Sequence, residues 1–208
     1  MRNKINKILK KNFFAHHATI VAPLLIGCRL VRTNKNEDIL QGIIVETEAY
    51  SQEDEACHGF NKRTTSNEVL FGEPGNYYVY KSYGIHHCLN VVTHKNNFAS
   101  GVLIRSVFIK NENERISSGP GLLTKKFLIN KSFNGLKSYD NSYLKILKRD
   151  IKISKEDLLQ TTRIGISKAT NLKWRWYLKS SRSISKREKG DKKPKKKNFL
   201  DQFVSKSQ

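Results

Sequence analysis

Two kinds of hydrophobic pattern alternate along this chain, one with the period of a helix and one typical of strands. Residues 13–27 carry apolar side chains at helical spacing, and Gly27 ends the run, so a helix is predicted there. Residues 28–33 and 39–50 are rich in Val, Ile and Leu and are joined by the polar segment 34–38. This arrangement predicts two antiparallel strands connected by a turn.

A tyrosine-rich segment further along has the form of a β-hairpin. Residues 77–81 and 85–93 are strand-like and flank a short link, 82–84, whose glycine can adopt positive φ. Tyr83 is therefore predicted to lie at the hairpin tip. A large aromatic side chain at a tip has no core to enter, and it suits insertion between the base pairs of a duplex.

The remaining elements mix strands with helices. Residues 100–109 predict another strand, and the Gly-Pro-Gly sequence at 119–121 opens a helix that runs to Ile129. Residues 144–177 predict a short strand, a turn of helix at 154–160 and further strands. Strands in series with helices between them indicate an α+β fold.

Length and charge predict how the chain is divided into a domain and its flanking segments. With 208 residues, 38% of them hydrophobic, the chain can bury one core. We expect a basic N-terminal arm or helix at 1–12, one globular domain at 13–185 and a Lys-rich, partly disordered tail at 186–208.

The formal net charge is +21, from 39 Lys and Arg against 18 Asp and Glu. Abundant Lys and Asn indicate a compositional bias that raises the charge without serving a function. Residues 1–12 contribute +5 and residues 186–197 contribute +6, which leaves +10 for the rest of the chain. Such an excess points to a polyanionic partner, and nucleic acid is the first candidate.

The cysteines exclude several kinds of site. Cys28, Cys57 and Cys88 are odd in number and far apart, so neither a disulfide framework nor a CxxC motif is available. This usage fits a reducing compartment, and we expect a cytoplasmic protein. No apolar run approaches the roughly 18 residues of a membrane-spanning helix.

The N-terminal stretch imitates a targeting signal. Basic residues within 2–11 precede the apolar run 18–28, which ends at Cys28 like a lipoprotein cleavage site. The two histidines at 16–17 and Arg29 directly after the cysteine favour a folded helix that leads into a strand.

Two carboxylates on the second strand are candidates for chemistry. Successive strand residues point to opposite faces, so Glu46 and Glu48 share one face about 7 Å apart. That spacing would suit a glycosidase, in which one carboxylate protonates the leaving group and another activates water. Alternatively both lie on a solvated face and pair with lysines. The apolar run 43–45 favours at least partial burial.

Other candidates have structural alternatives. Among tyrosines 77, 78, 80 and 83, the first three could simply pack in the core, since tyrosine is an ordinary strand former. His58 could stack on and hydrogen-bond a ligand or be a structural histidine, and no histidine pair has the spacing of a zinc site. Arg105 lies on an apolar strand, where a salt bridge to a glutamate is the simpler interpretation.

Together these motifs resemble the alkyladenine (3-methyladenine) DNA glycosylase family, in its mammalian-type form that bacteria also have. The resemblance covers residues 13–185. It rests on Glu-Thr-Glu-Ala-Tyr at 46–50, Glu-Asp-Glu-Ala-Cys-His at 53–58, Pro-Gly at 74–75, Tyr-Val-Tyr at 78–80, Tyr-Gly at 83–84 and Cys-Leu-Asn at 88–90. It implies one compact domain around a curved, mostly antiparallel sheet, with a protruding β-hairpin and flanking helices.

The resemblance also implies a role for each matching residue. Glu48 would activate the hydrolytic water, and Arg105 would help to hold that water. The other implied roles are stacking around a flipped base by Tyr50, His58 and Tyr80, intercalation by Tyr83, and lining of the pocket by Asn90, which would discourage the exocyclic amine of guanine.

The implied reaction is excision of alkylated purines from double-stranded DNA. An alkylated purine such as 3-methyladenine is already cationic, so one carboxylate and a water suffice and an abasic site remains. The resemblance implies a monofunctional, monomeric enzyme without metal or organic cofactor, associated with the nucleoid in a bacterium. The chain departs from the family pattern at His86, His87 and Leu122, and the loop before His58 is one residue shorter.

Two other functions compete with this one. A non-catalytic nucleic-acid-binding protein would use the same charge and tyrosines. Glu48 argues against it, because a carboxylate in a phosphate-binding groove weakens binding. A carbohydrate hydrolase would use both glutamates but leaves the cationic surface unexplained.

Overall fold

The structure is a computed structural model that describes residues 8–195. Its regular elements are the helices α1 (Lys11–Phe14), α2 (Ala18–Leu25) and α3 (Pro120–Lys126), and the strands β1 (Arg29–Thr33), β2 (Ile39–Ser51), β3 (Tyr77–Ser82), β4 (His86–Val92), β5 (Ser100–Phe108), β6 (Leu144–Leu147), β7 (Leu158–Thr161) and β8 (Arg175–Leu178). Short 3₁₀ helices occupy Glu68–Phe71 and Lys131–Phe133.

The strands form one eight-stranded antiparallel sheet in the order β3-β4-β5-β2-β1-β6, and β8 pairs with β2 on one side and β7 on the other. The long strand β2 makes this branching possible. Its first half pairs with β1, and Glu46 to Glu48 pair with β8. The predicted α+β fold with a curved, mostly antiparallel sheet is thus confirmed.

An irregularity in the pairing of β2 with β5 shapes the later site. The register passes from Ile44 opposite Val107 to Glu46 opposite Ser106 and then to Thr47 opposite Ile104, so Arg105 has no partner residue in the ladder. Bulges of this kind bend a strand and redirect a side chain, and they are common beside active sites.

The core explains why β2 carries a continuous apolar run. Residues 42–49 are all buried, because β2 lies between neighbouring strands while α2 packs across it. The glutamates at 46 and 48 are buried with their neighbours, so neither lies on a solvated strand face.

Two local predictions differ from the structure. The predicted helix at 13–27 is split, because α1 ends at Phe14 and the His17 side chain caps a second helix that begins at Ala18. The predicted helical turn at 154–160 is wrong: residues 154–157 form no helix, and residues 158–160 belong to β7, which pairs with β8. Local sequence favoured a turn of helix, but the free edge of β8 supplies backbone partners that favour a strand.

The described part of the C-terminal segment contacts the domain. Arg175 Nη1 donates to the Lys186 carbonyl at 2.8 Å, and the Tyr177 hydroxyl donates to Asp191 at 2.7 Å. Residues 1–7 of the basic arm predicted at 1–12 and residues 196–208 of the tail predicted at 186–208 lie outside the described residues. Along residues 8–195 no helix is long and apolar enough to cross a membrane.

Candidate active site

A cavity of about 870 Å³ opens between the β3-β4 hairpin, the N-terminal end of α3 and the loop that follows β7. Its wall contains six of the seven side chains predicted from the sequence: Tyr50, His58, Tyr80, Tyr83, Asn90 and Arg105. The seventh, Glu48, has no exposed surface, but Tyr50, Arg105 and Ile164 all line the cavity and all bond to its carboxylate.

Glu48 is held by three donors from three parts of the chain. Its Oε2 accepts from the Tyr50 hydroxyl at 2.8 Å and from Arg105 Nη1 at 3.2 Å, and its Oε1 accepts from the backbone N–H of Ile164 at 2.9 Å. A carboxylate offers about four acceptor positions, two on each oxygen. Among the described residues, only one donor reaches Oε1, so this oxygen has one acceptor position that no protein donor fills.

Glu46 has the opposite character. Its Oε1 accepts from Arg175 Nη1 at 2.9 Å and from the Ser185 hydroxyl at 2.9 Å. Its Oε2 accepts from the Ser106 hydroxyl at 2.6 Å and from the Ser185 backbone N–H at 2.8 Å. All four acceptor positions are thereby occupied. Glu46 is therefore a structural anchor, which removes the two-carboxylate mechanism considered from the sequence.

Arg105 lies between the two carboxylates. Besides its bond to Glu48, its Nε is 3.6 Å from Glu46 Oε1 and donates to the Ser185 hydroxyl at 3.3 Å. Burial opposes its charge, but the neighbouring Glu48 and Glu46 carboxylates outweigh burial and raise the pKa of Arg105. The predicted salt bridge is present, and it fixes a permanent cation beside Glu48.

Aromatic rings form one wall of the cavity. The His58 and Tyr80 ring centroids are 4.5 Å apart, and His58 Nδ1 lies 2.9 Å from the Tyr78 hydroxyl. Burial lowers the pKa of His58, which favours the neutral ring. Burial followed by the charge of Glu48 raises the pKa of Tyr50 well above its ordinary value, so its hydroxyl stays protonated and can donate.

The remaining predicted residues occupy the places expected of them. Tyr83 is 87% exposed at the hairpin tip, and it and Gly84 both have positive φ, at 49° and 68°. Three residues, 83–85, connect the paired residues Ser82 and His86, and the Ile85 N–H donates to the Ser82 carbonyl at 3.1 Å, which closes a tight turn around the two positive-φ residues. Asn90 is buried on β4, where its Nδ2 donates to the Tyr78 carbonyl at 3.1 Å.

Positive charge surrounds the cavity. Lys81, Lys125 and Lys168 belong to its wall, with Glu55 as the acidic side chain on the same surface. A smaller depression beyond His58 adds Lys62. This distribution attracts a polyanion to the cavity entrance.

The roles of several site residues could not be predicted from the sequence. The Ile164 N–H acts through its backbone, and Ser185 reaches Glu46 from a segment interpreted as the end of the domain. A fully buried ion pair between Asp54 and Arg163 lies near the site. The one signal in the sequence was a charged residue among the apolar residues of a strand, and Arg175 shows this pattern as Arg105 does.

These features define a class: a site in which a buried carboxylate, held by cavity-lining residues, adjoins a cavity with an aromatic wall, as in enzymes that hydrolyse a bond to an enclosed planar group. The sequence profile of the family described as "Methylpurine-DNA glycosylase (MPG)" matches residues 12–182. The chain belongs to this family.

Similar proteins agree with the family match. A relative from Carboxydothermus hydrogenoformans is 42% identical over 192 residues, which cover 86% of this chain and 100% of that protein. One from Trichodesmium erythraeum is 39% identical over 198 residues, covering 87% of this chain and 98% of the relative. Both are provisionally named 3-methyladenine DNA glycosylases.

Proposed function

We propose that this protein is a monofunctional base-excision repair glycosylase. It takes alkylated purines such as 3-methyladenine out of duplex DNA and hydrolyses the N-glycosidic bond, which leaves an abasic site. The family match and the names of the relatives support this proposal. The observation that carries it is the Glu48 carboxylate, whose Oε1 accepts one hydrogen bond from the described residues, donated by the N–H of cavity-lining Ile164.

Glu48 is the general base in this proposal. A water bonded to Oε1 attacks C1′ of the deoxyribose and transfers its proton to the carboxylate. The electron pair of the breaking C1′–N bond moves to the cationic purine and neutralises it, so the leaving group needs no added proton. The carboxylate also stabilises the positive charge that develops on the sugar.

Arg105 positions the Glu48 carboxylate. Its guanidinium bonds to Glu48 Oε2, the oxygen that does not receive the water, and it is itself held by Glu46 and Ser185. The carboxylate therefore cannot rotate to exchange its two oxygens without breaking bonds to Arg105 and Tyr50.

The flipped base is enclosed by Tyr50, Tyr80 and His58, with Asn90 at the pocket wall. Aromatic faces carry negative charge density and bind a cation more strongly than a neutral ring. Neutral His58 fits the same substrate, because an imidazolium would repel it. Tyr83 enters the gap that the base leaves in the duplex, and the lysines around the cavity bind the phosphates.

The proposal is tested with methylated duplex DNA. The protein is expected to release free 3-methyladenine, detected by chromatography, and the DNA strand should break only after alkali treatment. Cleavage without alkali would refute the monofunctional assignment. Tight DNA binding with no base release would place the protein among the non-catalytic nucleic-acid-binding proteins.

A further inference from the structure

A buried ion pair lies directly behind the stacking ring of Tyr50. Arg163 and Asp54 both have fully buried side chains and form a bidentate pair, in which Arg163 Nη1 donates to Oδ2 and Nη2 donates to Oδ1 at 2.9 Å. The two residues are 109 positions apart and come from different loops. Asp54 belongs to the loop that carries His58, and Arg163 directly precedes Ile164, whose N–H holds Glu48.

Aromatic stacking fixes the position of the Arg163 guanidinium. Its central carbon is 4.7 Å from the centroid of the Tyr50 ring and 5.4 Å from that of Trp174. Nη1 also donates to the Ala49 carbonyl at 3.0 Å, whereas the buried Nε has no hydrogen-bond partner within the described chain. The guanidinium is thus held against Tyr50, while this tyrosine also lines the cavity.

This arrangement places a permanent cation behind a ring that is proposed to stack on another cation. Burial opposes the charge of Arg163, but Asp54 outweighs it and raises the pKa of the guanidinium, so the charge persists. With Asp54 ionised, the pair carries no net charge, and the carboxylate offsets the field of the guanidinium at the cavity. Without Asp54, the same stacking surface would present an uncompensated positive charge to the base.

We propose that Asp54 is a specificity-determining residue: by neutralising Arg163 behind Tyr50, it allows the pocket to accept cationic alkylpurines in preference to neutral bases of the same shape. This inference rests on the proposed function, because it assumes that the excised base stacks on Tyr50. Asp54 acts through Arg163 and the ring and does not itself contact the base.

The size of the effect follows from the distances. A base stacked on the cavity face of Tyr50 lies roughly 8 Å from the guanidinium, and at an effective dielectric constant of about 20 a unit charge at this range changes binding by roughly thirtyfold. Water at the open cavity mouth screens part of this interaction. We expect the preference for a cationic base to change by about tenfold when Asp54 loses its charge.

The test compares two bases of one shape. One duplex carries cationic 7-methylguanine on a 2′-fluoro sugar, which resists cleavage, and the other carries neutral 7-deaza-7-methylguanine on the same sugar. Dissociation constants for both are measured by fluorescence anisotropy with wild-type protein and three variants: Asp54→Asn, Arg163→Gln and the double variant. For each protein, the ratio of the two dissociation constants is compared. General losses of folding or DNA affinity affect both duplexes equally and cancel in this ratio.

The two single variants are expected to change the preference for the cationic base in opposite directions. Asn at position 54 keeps the Oδ1 acceptor for Ala56 N–H and Arg163 Nη2 but removes the charge, so preference for the cationic base falls about tenfold. Arg163→Gln leaves Asp54 uncompensated and raises the preference. The double variant, in which both charges are gone, returns to within about twofold of wild type.

Three results would overturn the inference: ratios that stay within about twofold in both single variants, shifts of the same sign, or a double variant that does not recover. If Asp54→Asn does not fold, Arg163→Gln and the double variant decide the question. Base release from ordinary methylated DNA by wild-type protein tests the proposed function separately, so a failed ratio and a failed function remain distinguishable.

Discussion

Glu46 is predicted to be a major contributor to stability. Replacing it with alanine removes the acceptor of four hydrogen bonds and leaves Arg175 and Arg105, whose side chains are only 3% and 9% exposed, without one of their carboxylate partners. Loss of one partner from a buried ion pair costs about 3–5 kcal/mol, because the remaining charge stays desolvated.

That cost is large relative to the total stability of a domain. Domains are stable by roughly 5–15 kcal/mol, so Glu46→Ala should lose a substantial part of the free energy of unfolding. Arg105 retains Glu48, and Arg175 retains the Thr162 and Lys186 carbonyls, which keeps the estimate at the lower end, about 3 kcal/mol. Glu46→Gln should cost less, because it keeps the shape and part of the hydrogen bonding.

The assay is urea unfolding followed by tryptophan fluorescence, since both tryptophans of the chain, Trp174 and Trp176, lie near this network. Glu112→Ala is the matched control. Glu112 pairs with Lys126 at the surface, where its side chain is 39% exposed, and surface pairs contribute at most about 1 kcal/mol. If Glu46→Ala unfolds at the same urea concentration as this control, the buried network does not hold the sheet together.

Three further predictions concern the cavity and the thiols. Because burial lowers the pKa of His58 below the ordinary histidine value of about 6.5, the ring stays neutral at that pH, and excision of a cationic base should slow only in more acidic solution, where the ring becomes protonated. His58→Gln should extend activity to lower pH in a pH–rate profile. Tyr83→Ala should leave the urea midpoint unchanged, since the side chain is 87% exposed, and should slow excision from duplex DNA by about tenfold or more but not from single strands. Burial raises the pKa of Cys28 and of Cys57 to about 11, and that of Cys88 also rises, so the native protein should react slowly with a thiol reagent at pH 8, whereas fast labelling without denaturant would contradict their burial.

The parts of the fold that follow from short-range patterns could be predicted. The β1-β2 pair and the β3-β4 hairpin have the strand composition and turn residues that specify them locally. The segment predicted as a helical turn at 154–160 behaves differently, because the strand that begins at Leu158 depends on the edge of β8, which a local pattern does not contain.

The candidate site was also predictable only in part. Glu48, Arg105 and the tyrosines stand out because polar or aromatic residues interrupt apolar strands. The partners that give them their roles come from far along the chain: Ile164 is 116 positions from Glu48, and Ser185 is 139 positions from Glu46. Only the three-dimensional structure distinguishes the saturated carboxylate from the one with an acceptor position to spare.

The most direct test of the account compares wild-type protein with Glu48→Gln and Glu112→Gln on methylated duplex DNA at low salt and equal folded concentration. We expect 3-methyladenine release by the wild type and by Glu112→Gln. Glu48→Gln should release the base at least about a hundredfold more slowly while still binding the DNA, because the base that activates water is gone. Release by Glu48→Gln at the wild-type rate would contradict the assignment of Glu48 as the general base.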